Sequence, residues 1–174
     1  RVNPKQIDLV KKLISNQNKD ERLVVVDPIM GDEGKLYNGM SETNVEIMRG
    51  LAAFADVIIP NMTEECYLTK QFLQENTLSQ AQAEELILAC RKLGSKSVVI
   101  TSAKIGTENC VIGYDNTTDE NFCLEFEHLD IRFPGTGDIF SAVLVADILN
   151  EKSLKDATRH AMDTVYQIIV DNKD

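Results

Sequence analysis

The sequence predicts a layered α/β fold: a mostly parallel sheet with helices on both faces and an antiparallel hairpin at one edge. Three observations lead there. Short apolar runs, Arg22 to Val26 (RLVVV), Val57 to Ile59 (VII) and Ser97 to Thr101 (SVVIT), each end in polar residues, as central strands buried on both faces do. Segments of helical periodicity alternate with these runs. From Asn109 to Ile131 the period changes to two, with Phe122, Leu124 and Phe126 on one side and Glu125 and Glu127 on the other, the pattern of antiparallel edge strands.

In chain order, Pro4 to Asn18 reads as an amphipathic helix with Ile7, Val10, Leu13 and Ile14 on one face. RLVVV then delivers Asp27 at its C-terminal end, the edge at which open α/β sheets bind ligands. Asp27 to Gly34 (DPIMGDEG) reads as a loop with three acids and two glycines, suited to a charged ligand, and Lys35-Leu36-Tyr37-Asn38-Gly39 follows. Ser41 caps a helix through Val45, Met48, Leu51 and Phe54, and Val57 to Ile59 completes a βαβ unit. Pro60 to Glu65 starts a helix whose first turn carries Asn61 and Glu64 three apart. Ser79 caps the next helix, Ala81 to Leu93, which Gly94 stops; the following strand ends at Thr101-Ser102. Phe133-Pro134-Gly135-Thr136-Gly137-Asp138 leads into the apolar run Ile139 to Leu149, and Ser153 caps a last amphipathic helix.

A chain of 174 residues, 43% hydrophobic and 26% charged, suits one domain over 1–174 with a sizeable core. Its formal charge of −10 argues against nucleic acid or an anionic membrane as partner. Cys66, Cys90, Cys110 and Cys123 lack the spacing of a zinc site and read as reduced thiols. No apolar stretch reaches membrane-spanning length and no signal-peptide pattern is seen, so the expected compartment is the cytoplasm. His128 and His160 receive no role, and Asp147, on an apolar helix, is expected to be a buried, paired acid.

The chemistry concentrates in GTGD. The glycines allow a tight turn and close ligand approach, and a helix N-terminus favours phosphate. Asp138 in the same first turn would repel a resting phosphate, yet a base there is useful: it takes a hydroxyl proton while amides hold the phosphoryl group under attack. Taken alone, GTGD reads as readily as a glycine-rich turn with a first-turn acid. The other positions have plain alternatives too: an Asx turn for Asp27 and Asp32, helix initiation for Asn61 and Glu64, loop packing for Tyr37, a strand cap for Thr101 and Ser102.

Asp27-Pro28-Ile29-Met30-Gly31-Asp32, Pro60-Asn61-Met62-Thr63-Glu64, Ile100-Thr101-Ser102 and Gly135-Thr136-Gly137-Asp138 together, in order and spacing, resemble the signature of pyridoxal kinases in the ribokinase-like superfamily. The resemblance implies a three-layer α/β/α sandwich and ATP-dependent phosphorylation of the 5′-hydroxymethyl group of pyridoxal, pyridoxine or pyridoxamine. It makes Asp138 the general base and Gly135, Thr136 and Gly137 the anion hole. It gives Mg2+ to Asn61, Glu64 and Asp27, and the ATP side to Asp27, Asp32, Tyr37, Thr101, Ser102 and Thr136. A monovalent cation, K+, is implied as well, although Ile59 stands where some relatives carry threonine. A homodimer is the implied assembly. The family's N-terminal segment, with the vitamer-ring pocket, is expected to precede Arg1 in a longer polypeptide. Two alternatives are hydroxymethylpyrimidine kinases, which carry cysteine where Asp138 stands, and a nucleotide- or vitamer-binding protein without turnover.

Overall fold

The structure is a computed structural model and describes residues 4–71, 77–131 and 133–172. The chain runs through α1 (Pro4–Asn16), a 3-10 turn (Lys19–Glu21), β1 (Val25–Val26), β2 (Gly31–Asp32), β3 (Lys35–Leu36), α2 (Glu42–Ala52), β4 (Val57–Ile58), α3 (Met62–Thr69) and α4 (Gln80–Lys92). It continues through β5 (Ser97–Ile105), β6 (Glu108–Asp115), β7 (Glu120–Phe126), α5 (Thr136–Leu149) and α6 (Leu154–Asp171). The main sheet has the order β1-β4-β5-β6-β7. β1, β4 and β5 are parallel, and β6 runs antiparallel to both neighbours, so four of the five strands point the same way.

Side-chain alternation along the strands sorts the core into two layers. Ile58, Val98, Ile100 and Ile112 pack with Val45, Leu68, Leu86 and Cys90 from α2, α3 and α4. Val57, Val99, Val111, Phe122 and Leu124 pack with Phe140, Leu144, Ala157 and Ala161 from α5 and α6 on the opposite face. This is the expected three-layer arrangement. Local signals start the helices where they were read: Ser79 accepts the Gln82 amide at 3.2 Å and Ser153 the Asp156 amide at 3.1 Å.

The structure departs from the sequence expectation in four places. β5 does not end at Thr101-Ser102; it passes through them to Ile105, with a bulge between Ile100 and Ala103 at which Ser102 takes φ +62°. An extra residue absorbed this way kinks a strand without ending it. The acidic loop is a small hairpin, β2 paired with β3, turning at Glu33 and Gly34, both at positive φ. β7 stops at Phe126, short of Ile131. The apolar stripe of α1 buries Ile7 but leaves Val10 and Leu13 39% and 56% exposed: periodicity reports a stripe and not what covers it.

Asp147 is buried and paired as expected, with Lys152 Nζ at 2.9 Å and His160 Nδ1 at 2.5 Å. The Lys152 ammonium foremost, with His160 beside it, holds its carboxyl below the usual range. The four cysteines are free thiols, and among the described residues no helix is long and apolar enough to cross a membrane.

Candidate active site

Three strands deliver the site from one edge of the sheet. β1 leads directly into Asp27, β4 leads through Pro60 to Asn61, and the bulge of β5 holds Thr101 beside Asn61 in a parallel bridge, the Thr101 amide donating to the Pro60 carbonyl at 2.9 Å.

Asn61 and Glu64 form the cap of α3. The Asn61 Oδ1 accepts the Glu64 amide at 2.9 Å and the Glu64 Oε2 accepts the Asn61 amide at 3.0 Å, a reciprocal capping box. Each side chain has a second partner in the acidic hairpin. Glu64 Oε1 accepts the Met30 amide at 2.7 Å, and Asn61 Nδ2 donates to the Gly31 carbonyl at 2.9 Å. The two residues thus start the helix and also pin the hairpin to it, while Met30, fully buried, anchors the hairpin in the core. Thr63 adds a tie, its Oγ1 accepting the Gly34 amide at 2.8 Å. Gly31 has no room for a side chain: a Cβ there would lie 2.4 Å from the Lys35 carbonyl.

α5 enters from the other face. Gly135 is its N-cap at φ +88°, a conformation that favours glycine, and the space around it and Gly137 is open. The Ile139 amide donates to the Gly135 carbonyl at 3.0 Å, so the amides of Thr136, Gly137 and Asp138 precede the helical ladder. Asp138 is exposed at this end. One turn further on, the Ser141 hydroxyl donates to Asp27 Oδ2 at 2.6 Å, joining α5 to the end of β1.

Electrostatics bind the acids into one group. Burial raises the Asp27 carboxyl, the Ser141 hydrogen bond opposes this, and the charge of Asp138 raises it further. Burial pushes Glu64 up to about 7, against the pull of the Asn61 and Met30 amides, and Asp27 adds to the rise. None of the ion pairs among the described residues involves Asp27, Glu64 or Asp138. Oxygen donors carrying uncompensated negative charge are what a hard, hydrated cation such as Mg2+ matches. Among the described residues no three His, Cys, Asp or Glu side chains are grouped to hold a metal by themselves.

Of the residues singled out in the sequence, the structure joins Asp27, Asn61, Glu64 and Asp138 by hydrogen bonds or charge, with Thr101 beside Asn61 and Gly135, Thr136 and Gly137 at the start of α5. Asp32 is exposed and its Oδ1 accepts the Glu33 amide at 2.8 Å, which serves the hairpin turn. Tyr37 donates its amide to the Met30 carbonyl at 2.9 Å and leaves its side chain 45% exposed. Ser102 is exposed at the bulge. Ser141 and Met30 were not singled out; a hydroxyl three residues after Asp138 on a mostly apolar helix was the available signal for the first.

The sheep pyridoxal kinase is 29% identical over 158 residues, covering 80% of this chain and 48% of that protein. The chain spans about half the length of the curated relatives it matches. A Bacteroides thetaiotaomicron structure bearing the phosphomethylpyrimidine kinase name and solved with pyridoxal superposes with TM-score 0.86 at 29% identity, over 95% of this chain and 58% of that one. An ADP complex of Bacillus subtilis pyridoxal kinase superposes with TM-score 0.72 at 25% identity, over 94% and 60%. The family model described as phosphomethylpyrimidine kinase matches residues 2–174, and the chain belongs to that kinase family.

Proposed function

We propose that this chain carries the phosphoryl-transfer machinery of an ATP-dependent kinase acting on the 5′-hydroxymethyl group of pyridoxal and related vitamers. The observation that carries the reading is Asp138 in the first turn of α5, behind Gly135 in the left-handed conformation and ahead of a helix tied to Asp27. The free amides of Thr136, Gly137 and Asp138 hold the oxygens of the phosphoryl group in transfer. Asp138 accepts the proton of the attacking hydroxyl, which leaves the remaining work as positioning and charge stabilisation. Asp27, Glu64 and Asn61 hold Mg2+ through water, and Asp32, Tyr37, Thr101, Ser102 and Thr136 face the nucleotide. When bound, the magnesium neutralises charge on the β- and γ-phosphates. K+, the other implied cation, receives no side-chain oxygen from Ile59, which is buried against α5 and α6. The reading carries with it a cytoplasmic, homodimeric enzyme.

A second reading, phosphorylation of a hydroxymethylpyrimidine, is favoured by the family model. Asp138 speaks for the first, because the resemblance places cysteine there in hydroxymethylpyrimidine kinases. A coupled ADP-release assay on the full-length protein decides between them. Turnover of pyridoxal with MgATP, lost when Mg2+ is omitted, is the expected result. Preferential turnover of hydroxymethylpyrimidine, or none with either substrate, overturns the proposal.

A further inference from the structure

α5 is apolar beyond its first turn except for two side chains, Ser141 and Asp147. Asp147 is satisfied at the far end by Lys152 and His160. A serine within a helix has an inexpensive partner in the carbonyl four residues back. Ser141 does otherwise: its hydroxyl donates to Asp27 Oδ2 at 2.6 Å, across 114 positions of sequence. That length belongs to a hydroxyl–carboxylate bond, stronger than one between neutral groups. Ser141 also follows Asp138 by three residues, so the two share one face of α5, and Asp27 faces both of them from the end of β1.

Resting on the proposed kinase reading, we propose that Ser141 is a positioning residue whose hydroxyl fixes the Asp27 carboxylate against α5, in place to serve the hydrated cation. Asp27 is surrounded by like charge, from Asp138 on α5 and Glu64 on α3. Left to itself, a carboxylate in that setting turns toward solvent. The Ser141 bond holds one of its oxygens in place, while the Ile29 amide approaches the same carboxylate from the backbone. The division of labour follows: Asp27 is committed to the cation, and Asp138 is left to receive the substrate proton.

The test uses the full-length protein, Ser141→Ala and Ser141→Thr. Affinity for Mn2+ with a non-hydrolysable ATP analogue is read by electron paramagnetic resonance, beside kcat and KM for pyridoxal. Removing a group that orients a metal-binding carboxylate typically costs roughly 10- to 100-fold in metal affinity or activity. Ser141→Ala is therefore expected to weaken Mn2+ binding at least about 10-fold and lower kcat comparably, with KM for pyridoxal little changed. Ser141→Thr, which keeps the hydroxyl, restores most of both. Mn2+ affinity in Ser141→Ala equal to that of the parent overturns the proposal; so does a threonine variant as impaired as the alanine one, since the lost element would then be packing. A parent protein that binds Mn2+ and nucleotide but does not phosphorylate pyridoxal sinks the kinase reading instead, and the Mn2+ titration still decides the role of Ser141.

Discussion

Asp138 sits exposed where the free amides of α5 begin, and none of the ion pairs among the described residues involves it. Asp138→Asn is expected to lower kcat by roughly 10² to 10⁴ fold, the usual yield of a general base, with KM for ATP nearly unchanged. Near-parental kcat would reduce it to a first-turn acid. Glu64 differs because both its oxygens accept backbone amides, from Met30 and Asn61. In Glu64→Gln one of those amides meets an NH2 group, donor against donor, and the charge is lost as well. The Mg2+ concentration for half-maximal rate should rise while circular dichroism stays that of the parent; an unchanged Mg2+ requirement would leave Glu64 with a structural role alone. The residue types and motif order revealed Asp27, Asn61, Glu64 and Asp138 in the sequence. The bond from Ser141 to Asp27 was not legible, because no local pattern reports a contact across 114 positions.

Among the elements, the β2–β3 hairpin is the one on which the site depends most and which the sequence disclosed least. Its strands are two residues each, too short for an alternation signal, and its turn places Glu33 in a left-handed conformation that side chains seldom adopt. The helix starts at Asn61, Ser79 and Ser153 were legible because a cap is written within four residues of sequence. The bulge at Ser102 was not, since it depends on how β6 pairs with β5. Gly31→Ala tests the hairpin directly. A methyl group 2.4 Å from the Lys35 carbonyl forces β2 and β3 apart and draws the Gly31 carbonyl from Asn61. We expect a loss of about 1 to 3 kcal/mol in a denaturant titration, with a larger fractional fall in activity than in folded protein. Parental stability and activity together would show that the hairpin has slack.

For the whole molecule, two adjacent buried acids set the response to pH. Burial pushes Glu64 and Glu65 each up to about 7, from ordinary values near 4.5. Glu65 is fully buried, and its Oε1 accepts the Thr69 hydroxyl at 3.0 Å. An acid raised on folding contributes stability that is fully present below about pH 4.5 and lost as pH rises through 7. The melting temperature should therefore fall between pH 5 and pH 8. Glu65→Gln should flatten that slope, with the variant melting above the parent at pH 8; an equal slope in both proteins would mean that the Glu65 carboxyl titrates alike in the folded and unfolded chains. The layers, the βαβ unit and the antiparallel edge strands were legible at this scale because burial on both faces leaves its mark on composition. What covers the outer face of α1 was not, because a stripe of apolar residues names no neighbour.

The pairing of helix cap and hairpin latch in Asn61 and Glu64 has a kinetic consequence. A segment opens to solvent as a unit when the bonds that close it are shared. The amides of Met30, Asn61 and Glu64 all donate into the same two side chains, so fraying of the first turn of α3 also loosens the hairpin. In native-state hydrogen–deuterium exchange, these three amides should share one opening free energy and slow together when MgATP is added. The edge of the sheet that carries Asn61 and Glu64 then closes together with the hairpin in a single cooperative step.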